Sequence, residues 1–132
     1  MARDEPRLGQ LYSCAEQNNM HGGDTQSTLP DSDGRVTLMR FRRDKNPNGP
    51  LIIDHGGGSS GPASAVHRRV RMLRRQGGSL PIYRYAKDSD WEYLGRYRVQ
   101  SITDGGQEAA ERSRIAGRPI RYVIRLEEAS SL

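Results

Sequence analysis

The sequence is poor in several residue types. It has one cysteine, Cys14, among 132 residues, so it can form no internal disulfide. Hydrophobic residues make up 33%, with a single Trp and a single Phe, which predicts one domain over residues 1–132 with one modest core. No run approaches the ~20 apolar residues of a membrane span, and the first residues lack the pattern of a secretory signal. We therefore expect a cytoplasmic protein without membrane association, and its oligomeric state stays open.

Motifs for cofactor chemistry are also missing. Cys14 has no CxxC partner and the three histidines are scattered, so we expect no metal and no cofactor. The glycine-rich run after Ile53 has neither the Lys-Ser/Thr ending of a Walker loop nor a GxGxxG pattern. A hydrolase or nuclease using His55 or His67 is a minor alternative. Adjacent side chains on a strand point to opposite faces, so Asp54 is badly placed to orient His55.

Positive charge is abundant and unevenly distributed. The net charge is +5, but residues 1–34 hold two basic and six acidic residues, whereas residues 35–125 hold nineteen basic and eight acidic ones. The central region therefore carries +11, between an acidic N-terminal segment and a short acidic tail. Such a concentration attracts polyanions and makes their binding salt-sensitive, which favours nucleic acid as a partner.

Apolar alternation and turn residues predict an α+β fold. It has a curved, mostly antiparallel sheet or small open barrel with one or two packed helices. A short helix, or a strand that leads into a helix, is expected within Leu8–Met20, and a helical turn within Glu108–Ile115. The turn cluster Arg42–Pro50 favours a hairpin between the first two predicted strands. The predicted strands are Val36–Phe41, Pro50–Asp54, Leu80–Ala86, Trp91–Ser101 and Ile120–Leu126.

The segment Ser64–Gln76 is predicted to be an amphipathic helix. Val66, Val70 and Leu73 recur at helical spacing and form an apolar stripe. The opposite face has no acidic residue between His67 and Gln76, so it is either a solvated surface or a site for an external anion. That face contains His67, Arg68, Arg71, Arg74 and Arg75.

Aromatic residues concentrate in the predicted hairpin of Leu80–Ala86 and Trp91–Ser101. Period-two alternation places Trp91, Tyr93, Tyr97 and Val99 on one face of its second strand. Two interpretations remain open for the tyrosines Tyr83, Tyr85 and Tyr93. They are core residues, or they stack on bases at a cationic surface.

The order of several short motifs resembles the SRA-like domains, including those fused to HNH nucleases in actinobacterial restriction enzymes of the McrA type. The resemblance covers roughly residues 8 to 126. In order, the motifs are Gly9–Glu16, His21–Gly23, the strand to Phe41, the turn with Asp44 and Asn46–Gly49, Asp54–Gly58, Leu80–Tyr85 and Trp91–Val99.

The resemblance implies a PUA-like curved barrel that binds DNA with 5-methylcytosine or a related base and flips that base into a pocket. The sequence departs from the family at the pocket tyrosine, which Ile53 or Asp54 replaces, so the stacking wall is expected from Tyr12, His55 or Trp91. The implied pocket residues are Tyr12, Asp44, Asp54, His55, Gly56, Gly57, Gly58, Ser59 and Trp91.

A second set of residues is expected to contact the DNA backbone. It combines the Gly-Gly turn that the resemblance places near DNA with the cationic helix and two arginines of the predicted hairpin. Its members are His21, Gly22, Gly23, Arg68, Arg71, Arg74, Arg75, Arg96 and Arg98. The expected function is a stand-alone, non-catalytic reader of modified cytosine in duplex DNA, and an RNA-binding PUA-like module is the main alternative.

Overall fold

The computed structural model describes residues 5–25, 27–57 and 65–129 of the protein. Its helices are α1 (Cys14–His21), α2 (Ala65–Gln76) and α3 (Gly106–Ala116). Its short strands are β1 (Leu11–Ser13), β2 (Asp31–Ser32), β3 (Arg35–Val36), β4 (Met39–Phe41) and β5 (Ile52–His55). The long strands are β6 (Ser79–Lys87), β7 (Asp90–Asp104) and β8 (Tyr122–Glu128).

Six strands form one curled sheet in the order β4-β6-β7-β8-β5, with β1 paired to the start of β7. Only β4 and β6 are parallel; the other neighbours are antiparallel. The 15-residue β7 pairs with β6 along its first part and with β8 along its last part, which curls the sheet into a half-barrel. The predicted α+β class with a curved, mostly antiparallel sheet is confirmed, with three helices in the described ranges instead of one or two.

The larger core lies between α2 and the sheet. Val70 and Leu73 of the predicted apolar stripe are buried there, packed with residues such as Ile53, Ile82 and Ile124. The amphipathic helix is therefore confirmed over its described part. Its 12 residues include five arginines. None of the helices in the described ranges has the length and apolar character of a bilayer span.

The predicted hairpin between Val36–Phe41 and Pro50–Asp54 is wrong. β4 pairs with β6 at one edge of the sheet, whereas β5 pairs with β8 at the other edge. The connecting residues form a bent loop closed by its own hydrogen bonds, from Asn46 N to the Arg42 carbonyl at 2.8 Å and from Gly49 N to the Asn46 carbonyl at 3.0 Å. This loop carries the chain between the edges instead of reversing it locally.

The predicted common face of Trp91, Tyr93, Tyr97 and Val99 is also wrong. Ile82 pairs with Gly95 and Tyr83 pairs with Tyr93, so one extra residue of β7 forms a bulge at Leu94. A bulge interrupts the alternation of faces. As a result, Trp91 and Tyr93 pack in a smaller cluster with Leu38, Tyr83 and Tyr12, while Leu94, Tyr97 and Val99 pack against the larger core.

Of the two possibilities for Leu8–Met20, the structure has the strand that leads into a helix, as β1 and α1. Ser13 ends the strand and caps the helix: its Oγ accepts from Glu16 N at 3.1 Å, and the Glu16 carboxylate accepts from Ser13 N at 2.8 Å. Gln17 is the buried residue of this helix. The cap therefore fixes the direction from which Gln17 enters the interior.

A buried ion pair fastens α3 to the edge strand β5. Arg112 donates from Nε and Nη2 to the two carboxylate oxygens of Asp54, each at 2.9 Å. The side chains are 16% and 3% exposed. Asp54 N donates to Asn46 Oδ1 at 2.7 Å, so the same residue also holds the bent loop after β4. Because the pair is bidentate and withdrawn from water, loss of one partner leaves a buried charge uncompensated.

We predict that Arg112→Ala lowers the free energy of unfolding by about 3 kcal/mol, because it leaves the buried Asp54 carboxylate without its cation partner. Urea denaturation followed by circular dichroism measures the change. Arg114→Ala on the same helix is the control: its side chain is 74% exposed, and we expect a loss of about 0.5 kcal/mol or less. Equal unfolding midpoints for the two variants would contradict the assignment.

Candidate functional site

A cavity of about 460 Å³ opens between the end of β5, the turn after β4 and the segment that precedes β2. Its size lies within the range of ~300–1,000 Å³ that is usual for small-ligand sites. Four of the predicted pocket residues line it together, namely Asp54, His55, Gly56 and Trp91. The structure therefore brings the segment that follows β5 next to the tryptophan at the start of β7.

Positively charged side chains surround this cavity. Asp54 is the one acidic residue among its described lining residues, and its carboxylate is already bound to Arg112. The excess charge of the lining is therefore positive. The cations that line the cavity are Arg40, Arg42, Lys45 and Arg118.

Arg40 is the most buried of these cations, with 2% of the residue exposed. Its Nε donates to Gln17 Oε1 at 2.6 Å, and its terminal nitrogens donate to the carbonyls of Ser27 at 3.0 Å and Asp24 at 3.3 Å. All of these acceptors are neutral. Burial lowers the pKa of Arg40, but a guanidinium remains charged at neutral pH.

Arg118 reaches the cavity from the connection between α3 and β8. Its Nη2 donates to the Lys45 carbonyl at 3.2 Å, which ties this connection to the turn after β4. The residue is half-buried, and it has no carboxylate partner within the described ranges. Arg118 therefore brings a second unneutralised guanidinium to the lining.

His55 lies among these cations as a neutral side chain. The pKa of His55 falls from 6.5 to about 4 because the ring is withdrawn from water, and the charges of Arg118 and Arg69 lower it further. At neutral pH one ring nitrogen therefore donates a hydrogen bond and the other accepts one. The imidazole can bind a polar group without adding charge to the cavity.

An aromatic pair stands beside the cavity. The Tyr85 and Trp91 rings are 5.2 Å apart between centroids in an edge arrangement at 81°. The Arg42 guanidinium lies 4.1 Å from the Tyr85 centroid and 5.9 Å from that of Trp91. A cation held against aromatic faces is partly ordered and still accessible, since Arg42 is exposed.

Arg69 of α2 fixes the wall opposite β5. Its Nε contacts Asp31 at 2.9 Å, its Nη2 contacts Asp24 at 3.2 Å, and its Nη1 donates to Ser27 Oγ. The same segment also supplies the carbonyls that accept from Arg40. Arg40 and Arg69 thus both hold this segment, whose Thr25, Ser27 and Thr28 line the cavity.

Two predicted pocket residues lie elsewhere. Tyr12 packs edge-on against Tyr83, with ring centroids 6.1 Å apart, and its hydroxyl accepts from Arg7 N at 2.8 Å. The pairing of β1 with the start of β7 directs it into the smaller aromatic cluster. Asp44 is exposed in the turn after β4 and does not line the cavity.

The glycine run has a structural role at Gly57. Its φ is +116°, and a Cβ at this position would lie 2.2 Å from the Pro119 carbonyl oxygen. Only glycine therefore permits this approach between the segment after β5 and the segment before β8. Gly56 lines the cavity, while Gly58 and Ser59 lie outside the described residues.

The cationic face of α2 is only partly free of acidic partners. Arg68 pairs with Asp31 at 3.1 Å, and Arg74 donates to the Ile102 carbonyl at 3.2 Å. The inference that this face lacks an acidic partner is therefore wrong for Arg68, because the acidic N-terminal segment folds back onto the helix. Arg71 and Arg75 are exposed and make no ion pair within the described part of the chain.

The other predicted backbone contacts have internal partners. His21 Nε2 hydrogen-bonds the Tyr83 hydroxyl at 2.7 Å, Arg96 donates to Ser79, and Arg98 pairs with Glu127 at 3.3 Å. The Gly22–Gly23 turn packs closely, since a Cβ on Gly23 would lie 2.6 Å from Pro30 Cβ. Contact of these residues with DNA stays a prediction.

Burial settles the role of two tyrosines. Tyr83 is fully buried and Tyr93 is 6% exposed, with ring centroids 5.3 Å apart. The core interpretation is therefore confirmed for this pair, and neither ring has a face free to stack on a base. Tyr85 is half-buried beneath Arg42 and remains beside the cavity.

Sequence reasoning missed the four cations of the lining. Arg40 had a signal, because it interrupts the apolar run Leu38-Met39-Arg40-Phe41, and a buried arginine in a strand requires acceptors. Arg42 and Lys45 were hidden in a segment interpreted only as a turn. Arg118 carried no signal, since its position depends on how α3 packs.

Two side chains considered for the hydrolase alternative, Asp54 and His67, contact other residues in the structure. No three His, Cys, Asp or Glu side chains there are grouped so that they could hold a metal ion. The Asp54 carboxylate binds Arg112 and does not orient His55. His67 Nδ1 is hydrogen-bonded to the Tyr122 hydroxyl.

Comparison with solved structures finds SRA domains. The chain resembles the SRA domain of SUVH5 in complex with methylated CHH DNA, with a TM-score of 0.58, 12% identity and 96% of both chains covered. It also resembles ScoMcrA, in a structure of the sulfur-binding and SRA domains with phosphorothioated DNA (TM-score 0.55, 14% identity) and as the type IV phosphorothioation-dependent restriction endonuclease (TM-score 0.53, 15% identity).

The chain is covered to 96% in both ScoMcrA comparisons but spans only 41% and 25% of those longer chains. No protein-family model and no curated protein matches the sequence. At these identities the likeness shows the fold. The expected SRA-like fold is confirmed.

We predict that His55 titrates near pH 4 in the folded protein. Between pH 6.5 and 4 the unfolded chain binds a proton that the folded chain excludes, so stability is complete above about pH 6.5 and falls as the pH decreases toward 4. NMR titration of the His55 Hε1 resonance measures the pKa. In His55→Gln, the stability lost between pH 7 and 5 should shrink by on the order of 1–2 kcal/mol. A midpoint near 6.5 would show that the ring is solvated.

Proposed function

We propose that this protein binds duplex DNA that contains a modified cytosine, with 5-methylcytosine as the first candidate, and takes the modified base into the cavity. The observation that carries the proposal is the open cavity, lined by four cations and Trp91, within an SRA-like fold. SRA domains of similar fold were solved with methylated and with phosphorothioated DNA, which supports modified DNA as the partner.

The cavity offers compensation for base extrusion. Flipping a base costs a few kcal/mol of lost stacking and pairing, so the pocket must replace those contacts. Trp91 supplies an aromatic surface at the lining, and stacking on such a ring is worth roughly 1–3 kcal/mol per base. His55, which is neutral, supplies one donor and one acceptor to a base edge. Asp54 is poorly placed to accept from the cytosine amino group because its side chain is 3% exposed and already binds Arg112 through both oxygens.

In this proposal, exposed cations at the cavity and on α2 contact the DNA phosphates. Arg42 and Lys45 are exposed residues of the lining, and they lie on the turn after β4. Arg71 and Arg75 of α2 form a second exposed cationic surface without internal ion pairs in the described residues. The first group adjoins the base cavity and the second does not line it, so they make separable contributions.

We predict tighter binding to a duplex with one 5-methylcytosine than to the same duplex with cytosine. A gel-shift panel measures this with cytosine, 5-methylcytosine, 5-hydroxymethylcytosine or N6-methyladenine in one sequence, with structured RNA as competitor. Trp91→Ala should reduce the preference for the modified duplex, since it removes the aromatic surface. Equal affinity for all duplexes, or stronger competition by RNA, would reject the proposal.

We also predict that Arg42→Ala and Lys45→Ala weaken binding to modified and unmodified duplexes alike. Each lost phosphate contact should reduce the slope of log affinity against log salt by about 0.9. Arg71→Ala and Arg75→Ala are measured alongside as charge-matched variants of the second surface. If only these two change the slope, the DNA lies on α2 and the cavity is not at the interface.

A further inference from the structure

The arginines of this protein differ in how their charge is balanced. Elsewhere in the described residues, the partly buried arginines have carboxylate partners: Arg69, Arg84, Arg112, Arg121 and Arg125. Arg40 is buried and Arg118 is half-buried, and the hydrogen bonds of both go to neutral oxygens, although the charge of Asp24 also acts on Arg40. Both of them line the cavity. Among the described residues, the arginines that are at least half-buried and form no ion pair therefore lie at this site.

Such charges favour an anionic occupant. A guanidinium removed from water loses hydration, and neutral carbonyls replace only part of it. Hydrogen bonds between ionised partners are roughly twice as strong as neutral ones, and a poorly solvated site screens the attraction weakly. Asp54, the one described carboxylate in the lining, is paired with Arg112 and forms no ion pair with Arg40 or Arg118.

The lining offers fewer favourable contacts to a methyl group than to an anionic group. Among the described residues, its large apolar side chains are Phe41 and Trp91, whereas most of the other lining residues have charged, amide, hydroxyl or imidazole side chains. A methyl group gains by contact with apolar surface. A carboxylate on the same base gains from the guanidinium groups, so the chemistry of this cavity suits it better.

We propose that the cavity selects a cytosine whose C5 substituent is anionic, with 5-carboxylcytosine bound more tightly than 5-methylcytosine. This inference rests on the proposed function, because the cavity must first receive a base. It changes which modified cytosine is bound most tightly, and duplex DNA with a modified cytosine remains the ligand. Arg118 is assigned the contact with the substituent, together with the deeper Arg40.

Backbone phosphates are the competing source of negative charge. Arg42 and Lys45 are exposed and suit phosphates at the surface of the duplex. Arg40 is 2% exposed, beneath the segment that contains Ser27, so its charge acts on what enters the cavity. The two sources differ in outcome, since a phosphate contact affects every duplex and a substituent contact affects only the carboxylated one.

The test measures binding of one duplex with a single cytosine, 5-methylcytosine or 5-carboxylcytosine to the full chain and its variants. The expected result is a preference for 5-carboxylcytosine over 5-methylcytosine of on the order of tenfold, as for one charge-assisted hydrogen bond. Arg118→Gln should remove most of this preference, and it should lower the affinity for the other two duplexes much less than the affinity for the carboxylated one. Arg118 is chosen because Arg40 also holds the cavity wall and its replacement can unfold it.

Two matched variants complete the design. Arg114→Gln removes the same charge from an exposed position outside the cavity lining, so it should leave the preference intact. Arg118→Lys keeps the charge and should retain most of the preference. If Arg118→Lys loses it as fully as Arg118→Gln, side-chain shape and not charge governs binding, and the proposal is overturned.

The remaining outcomes separate this inference from the proposed function. Preference for 5-methylcytosine over both other duplexes overturns the inference and leaves the modified-cytosine reader standing. An equal loss on all duplexes in Arg118→Gln assigns this residue to a phosphate and also overturns it. Equal binding of all three duplexes by the unaltered protein rejects the proposed function itself.

Discussion

The fold depends on arginine side chains that act as internal ties. With 33% hydrophobic residues, the chain has limited apolar surface to bury, and segments outside the sheet need other anchors. Arg112 fastens α3 to β5 through Asp54, and Arg69 fastens α2 to Asp24 and Asp31. These ties are specific in direction, because a guanidinium forms a planar fork of donors.

Because these arginines are paired inside the protein, the positive charge available for binding comes from the other basic residues. Charge that lies close together in the sequence is partly neutralised by the fold, as with Arg68 and Asp31. Charge that is scattered in the sequence converges on the cavity, where Arg40 and Arg118 meet only neutral acceptors. The sites of unbalanced charge therefore follow from tertiary structure, and a count of basic residues along the chain does not locate them.

Local patterns predicted the elements well, whereas strand pairing escaped them. The helix through Gln76 and the long strands follow from periodicity, which each segment carries by itself. The hairpin prediction failed because a short loop suggests local reversal, yet β4 and β5 find partners at opposite sheet edges. The bulge at Leu94 shifts the side chains of β7 that follow it, up to a second irregularity between Val99 and Ser101, and no residue pattern marked it. The cavity lining was likewise predicted only in part. Asp54 and His55 were predicted from one motif, whereas the position of Arg118 depends on how the chain packs.

The charge of the cavity also decides what its histidine can do. A general base works best when its pKa lies near the working pH, and the cations and burial that lower the pKa of His55 to about 4 make it a weak base at neutral pH. The same shift keeps the ring neutral, so it offers a donor and an acceptor together. Among these cations, the neutral imidazole of His55 therefore contributes hydrogen-bonding capacity to the cavity and no additional charge.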